Sequence, residues 1–184
     1  MKDYSVMKLR YLELKDAPGM LEWMHDVTIN KNFRTDFSGY NLEKAEAFIS
    51  NSWTEQDKHF ACTDDFDEYL GTVSLKNIDW NSRNAEYAIS FRKKAHGTGA
   101  SHFATNEILK IAFYKLNLEK VYLNVIGKNS RAISFYEKYG FTLEGRFKKH
   151  ILINGVLEDL LWFGIFKDDY ARRLKNENDT IRNF

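Results

Sequence analysis

The chain has little cysteine, little net charge and no long apolar run, and each shortage closes off a class of protein. One cysteine, Cys62, stands among 184 residues, which excludes an internal disulfide and any cysteine-cluster metal site. The five histidines show no metal-ligand spacing, so no metal is expected. Lys and Arg total 27 against 26 Asp and Glu, a formal net charge of +1. That balance argues against a nucleic-acid binder held by phosphate attraction. The longest apolar run, Leu160 to Phe166, is far too short to cross a bilayer. The opening MKDYSVMKLR has no apolar signal core. A cytoplasmic protein with no membrane partner is the expectation.

Hydrophobic residues make up 43% and aromatics 15%, enough for one sizeable core. The expectation is a single domain over residues 1–184 with its core from about 8 to 166, and a charged, partly frayed tail over 171–184. Seven segments read as strands: Lys8 to Leu14, His59 to Thr63, Tyr69 to Ile78, Ala85 to Phe91, Lys120 to Val125, Phe141 to Ile153 and Val156 to Phe166. Between the last two, Asn154-Gly155 is a strong hairpin signal. Helices are expected after Asp16, with Pro18 in the first turn, and after Asn41, each cap residue offering a side-chain oxygen. Ala104, Ile108, Ile111 and Ala112 mark the inner face of a longer helix. Ser130 to Tyr139 reads as a short one, ended by Gly140. Residues Asp26 to Tyr40 read as irregular. The fold class is mixed α/β.

The most informative stretch is Asn84 to Leu109, NAEYAISFRKKAHGTGASHFATNEIL. Ala85, Tyr87, Ile89 and Phe91 alternate along a strand, which runs into Arg92-Lys93-Lys94. The loop His96-Gly97-Thr98-Gly99-Ala100-Ser101 then opens a helix. Two glycines let the backbone approach a ligand closely. The first N–H groups of a helix are unpaired and sit at the positive end of its dipole. Strand, glycine turn and helix start form a seat for phosphate or pyrophosphate, or else only a tight turn. No Gly-Lys-Ser/Thr follows, so the loop is not that of a P-loop hydrolase. The dinucleotide fingerprint fails for want of its third glycine.

A second stretch, KVYLNVIGKNSRAISFYEKYGF from Lys120 to Phe141, gives the first its context. Its strand, Asn129, Arg131-Ala132-Ile133, Phe135-Tyr136 and Gly140-Phe141 resemble the C-terminal motif of the GNAT superfamily of acyl-CoA N-acyltransferases. The glycine loop is similar to that superfamily's pyrophosphate loop, with His96 in place of the usual Gln/Arg and Ser101 in the last position. The paired motifs cover residues 84–141. The order of elements extends the likeness from about 8 to 166. The closing hairpin resembles the branch that holds ribosomal-protein N-terminal, spermidine and amino-sugar-nucleotide acetyltransferases.

The resemblance implies a twisted, mostly antiparallel sheet of about seven strands flanked by helices. It implies acetyl transfer from acetyl-CoA to a primary amine, of a small molecule or a peptide N-terminus, by direct attack in a ternary complex. A non-catalytic acyl-CoA-binding module is the alternative. Gly97, Thr98, Gly99, Ala100 and Ser101 would hold the pyrophosphate, with His96 and Lys94 as supplementary donors. A splayed strand would present the backbone of Ile89, Ser90 and Phe91 to the pantetheine arm, with Asn129 as a further contact. An alkyl amine of pKa about 10.4 is nearly all protonated at neutral pH, so a base or a water chain must take a proton. Glu86 is the candidate, sharing a strand face with small Ala88 and Ser90; it reads equally as a surface carboxylate or a salt-bridge partner. Tyr136 matches the tyrosine that many members use to protonate the departing thiolate; as a plain core aromatic it would join Ala132, Phe135 and Tyr139.

The acceptor groove of this fold implies a lining from Trp23 to Tyr40, notably His25, Asp26, Arg34 and Asp36, with Lys148 to Ile153 across from it. A polyamine site would carry several carboxylates. The mixture of Lys31 and Arg34 with Asp26 and Asp36 leans towards an acceptor with some negative charge, such as an amino-sugar nucleotide. A homodimer is the family habit.

Overall fold

A computed structural model describes residues 6–31 and 33–182, side chains excepted at 177–182. Its strands are β1 (Lys8–Tyr11), β2 (Lys58–Thr63), β3 (Tyr69–Asp79), β4 (Asn84–Phe91), β5 (Lys120–Ile126), β6 (Thr142–Ile153) and β7 (Val156–Phe166). The helices are α1 (Ala17–His25), α2 (Val27–Asn30), α3 (Leu42–Ser50), α4 (Ala100–Lys110), α5 (Ser130–Lys138) and α6 (Lys167–Arg182). All seven strands join one sheet in the order β1-β2-β3-β4-β5-β7-β6. Each pairing is antiparallel except β4 with β5. A parallel pair needs a crossover, and α4 supplies it.

Period-2 alternation sends the sheet's side chains to its two faces, each of which builds a large core. On one face Ala85, Tyr87 and Phe91 of β4 meet Ala104, Ile108 and Leu109 of α4, with Val121, Leu123, Phe141 and Phe163. Ile108 is fully buried, and burying such a side chain is worth about 1.5–3 kcal/mol. On the other face Ala61 and Tyr69 meet Met20, Trp23 and Met24 of α1 and Ala45 and Ile49 of α3. The sheet is therefore covered on both sides over β2 and β3. Asn154 and Gly155 take φ of 49° and 77°, the left-handed pair that a tight hairpin turn requires.

Four local readings differ from the structure. Asp16 does not cap α1 with its side chain. Its buried carboxylate accepts instead from Arg10 at 2.7 and 2.8 Å and from the Glu13 N–H at 2.9 Å. A guanidinium fork is a stronger partner than one amide. The first strand is correspondingly short, ending at Tyr11 rather than Leu14. The segment read as irregular contains α2, whose N-terminus Asp26 caps through the Thr28 N–H at 2.8 Å. The tail runs as helix α6. Tyr170 anchors it, fully buried with its ring 5.3 Å from Phe113; residues 183–184 lie outside the described part. Among the described residues no helix is long and apolar enough to cross a membrane.

Candidate active site

β4 and β5 pair only from Asn84 to Glu86 and from Lys120 to Tyr122. Beyond that point each is held on its outer side alone, β4 by β3 up to Phe91 and β5 by β7 up to Ile126. The two inner edges part into a fork, leaving a strip of backbone N–H and C=O groups without a sheet partner. Ile89, Ser90 and Phe91 lie on the β4 arm of that fork.

The glycine loop follows directly from the β4 arm. Gly97 and Gly99 take φ of 78° and 87°, and a Cβ added to either would meet nothing within 4 Å. The glycines thus serve backbone conformation and leave open space beside the loop. Gly99 occupies the N-cap of α4. Among the described residues the N–H groups of Gly97, Gly99, Ser101 and His102 find no acceptor. The Thr98 N–H has a long bond of 3.4 Å to the Ala95 carbonyl, and the Ala100 N–H one of 3.3 Å to Thr98 Oγ1. Such a run of free amides at a helix start is an anion seat.

Tyr136 stands on α5, its ring 6.0 Å edge-on from Tyr87 and 6.1 Å from Phe141. Its hydroxyl makes no hydrogen bond among the described residues, and burial pushes its pKa up to about 12. The phenol is therefore neutral at physiological pH and has a proton to give. Phe135 takes the packing role beside it, against His102 and Tyr139.

Glu86 is the last β4 residue paired with β5, so it stands at the apex of the fork. Its side chain is 16% exposed. Lys76 Nζ and Asn124 Nδ2 donate to Oε1 at 3.1 and 3.2 Å, and Asn77 Nδ2 donates to Oε2 at 2.8 Å. Tyr87, the next residue, points to the face of α4 and Tyr136. Alternation along the strand then puts Glu86 and Tyr136 on opposite sides of the fork. A group lodged in the opening has a carboxylate on one side and a phenol on the other.

A family profile described as an acetyltransferase (GNAT) domain matches residues 9–162. The chain belongs to the GNAT acetyltransferases. As a member it transfers an acetyl group from acetyl-CoA to an amine nitrogen. The spermidine N(1)-acetyltransferase of Vibrio cholerae is 29% identical over 174 residues, covering 92% of this chain and 98% of that protein. The crystal structure of spermidine N-acetyltransferase from Vibrio cholerae in complex with CoA and spermine is similar with a TM-score of 0.83 at 26% identity, over 91% of this chain and 99% of that one. A dodecameric structure of spermidine N-acetyltransferase from Vibrio cholerae gives a TM-score of 0.75 at 26% identity, over 92% and 98% of the two chains.

The residues of this GNAT chain fit a diphosphate at the loop, since the free amides and the room above both glycines are what such a group needs. Two of the basic side chains nearby are already engaged. Lys94 is paired with Glu68. Arg92 is held by Glu22 and by the Tyr69 carbonyl at 2.7 Å. His96 is exposed. Asn129 caps α5 through the Ala132 N–H at 3.3 Å, which occupies its carbonyl oxygen.

The four acceptor-side residues run from His25, the last residue of α1, to Asp36 before α3, with mixed environments. His25 is exposed, its Nε2 2.9 Å from the Tyr40 carbonyl. The Thr28 hydroxyl and N–H hold Asp26 below the usual carboxylate range. The Ser38 N–H does the same for Asp36. Arg34 is exposed and forms no ion pair among the described residues.

Sequence reading missed Lys76, Asn77 and Asn124. Asn124 had a signal, a polar residue alternating with Val121, Leu123 and Val125 on a buried strand. Lys76 and Asn77 had none beyond their positions near a strand's end.

Proposed function

We propose that the chain acetylates a primary amine of a polyamine, spermidine being the type, by direct attack in a ternary complex. The free amides of Gly97, Gly99, Ser101 and His102, opening beside a forked sheet, carry this reading. They support Gly97, Thr98, Gly99, Ala100 and Ser101 as the diphosphate seat, and the free β4 edge at Ile89 to Phe91 as the rail for the pantetheine arm. The thioester supplies an activated acyl group and a thiolate leaving group. Glu86 accepts an N–H of the incoming amine and draws its proton, directly or through water. Tyr136 donates its phenolic proton to the departing sulfur. The polyamine assignment draws on the relatives that match along almost their whole length, which act on spermidine.

A second acceptor class is favoured by the free guanidinium of Arg34 and by the ammonium of Lys76 beside Glu86. Both suit a molecule with some negative charge, such as an amino-sugar nucleotide. Release of CoA thiol with spermidine, a peptide N-terminus and a UDP-amino sugar separates these. Turnover with spermidine alone supports the proposal; turnover only with the nucleotide overturns it.

We also propose self-association through the β6–β7 hairpin, where Leu152 and Leu157 form a cross-strand pair 65% and 54% exposed. Two such leucines side by side form an apolar spot for a second copy of the chain. The chain acts as one domain in the cytoplasm, where its buried Cys62 stays a thiol.

A further inference from the structure

In a regular strand, neighbouring residues point to opposite faces, so Lys76 and Asn77 should not reach the same carboxylate. They do because β3 is bulged. Lys76 faces Glu86 and Asp79 faces Asn84, so three steps along β3 match two along β4. Asn77 takes the extra step with φ of 51°, a left-handed conformation that Asn tolerates better than most side chains. The bulge is clamped from outside. The Asn77 N–H donates to Asp57 Oδ1 at 3.0 Å, the Ile78 N–H to the Gln56 carbonyl at 2.9 Å, and Trp80 Nε1 to the Glu55 carbonyl at 3.2 Å.

We propose that Lys76, Asn77 and Asn124 are positioning residues that aim Glu86 at the acceptor amine. The inference rests on the reading of Glu86 given above. A carboxylate offers about four lone-pair directions. Lys76 and Asn124 occupy Oε1, and Asn77 takes one direction on Oε2, so one acceptor direction remains, on Oε2. A single incoming N–H can use it. Asn124 reaches Glu86 from β5, beyond the last paired residue Tyr122. The carboxylate is therefore tied to β3 and β5 at the point where the fork opens, and cannot swing into it. Lys76 also offsets the local negative charge. A protonated amine gains little by stopping at Glu86, whereas a neutral one keeps its hydrogen bond.

The test is a double-mutant cycle on steady-state turnover with the acceptor that the thiol-release panel identifies. Asn77→Gly keeps the left-handed backbone and removes only the amide; Lys76→Met removes the charge at similar length. Each should lower kcat by at least about fivefold without raising the acceptor KM, the pattern of a lost transition-state interaction. Affinity for acetyl-CoA and the thermal midpoint should stay close to wild type, and Lys76→Arg should restore most of the rate. In a Glu86→Gln background neither change should cost more, because residues acting through one another are non-additive. Unchanged kcat in both single variants, or losses that add fully to that of Glu86→Gln, would overturn the proposal. Wild-type turnover in Glu86→Gln alone removes the role of Glu86 itself, a separate result.

Discussion

At the scale of single residues, the proposed chemistry depends on proton positions. Tyr136 has no hydrogen-bond partner among the described residues, and burial raises its pKa to about 12. Replacing it with Phe keeps the ring and removes the proton. Turnover of Tyr136→Phe should fall at least about tenfold, or about 1.4 kcal/mol in barrier, while acetyl-CoA binding measured by calorimetry stays within a few-fold. Equal turnover would take Tyr136 out of the mechanism. Both Tyr136 and Glu86 were legible in the sequence, one from its motif and one from strand alternation beside small residues. Asn77 was not. Its reach to Glu86 comes from a backbone angle, and a lone Asn gives no sign of which way a bulged strand turns it.

At the scale of elements, the glycine loop and strand β2 each make a prediction. Gly97 and Gly99 are left-handed with open space above them, so an added methyl group clashes with nothing and costs conformation, about 1 kcal/mol at each site. The double variant Gly97→Ala/Gly99→Ala should remain folded by circular dichroism. Its acetyl-CoA affinity should fall at least about tenfold as the loop amides turn away. In β2, His59 is buried, with Nδ1 2.7 Å from Ser74 Oγ and its ring against Phe48. Desolvation, with the charge of Lys76 adding to it, pushes its pKa down to about 4 from an ordinary 6.5. The unfolded chain therefore takes up this proton first as pH falls. Stability present above about pH 6.5 should decline towards pH 4, by on the order of 3 kcal/mol at the limit. Urea midpoints across that range should flatten in His59→Gln; an unchanged slope would show that His59 is not the group responsible. Caps were only partly legible. Asn41 caps α3 through the Lys44 N–H, as its position suggested, but Asp16 was drawn to Arg10 from another element.

At the scale of the whole molecule, the decisive feature is strand order. Because β5 lies between β4 and β7, a parallel pair meets an antiparallel one, and the chain has only three residues on each side to hold the parallel contact. The rest of that boundary opens as the fork. The hairpin at the sheet's far edge leaves Leu152 and Leu157 uncovered, and the self-association proposed there predicts a species heavier than one chain in sedimentation velocity. Leu152→Glu, which puts a charge into that contact, should shift it towards the monomer with little change in the thermal midpoint. A wild-type chain that sediments as a monomer at micromolar concentration would dismiss this contact.

The sequence by itself determined most of the elements, the glycine loop and the tyrosine helix, because strand alternation, helical spacing and glycine's left-handed freedom are local properties. Where β4 and β5 part, and that a bulge in β3 turns two neighbouring side chains onto Glu86, depended on pairing between strands far apart in the chain. Such pairings are set by how the two cores fill on either face of the sheet. Only the tertiary structure could decide them.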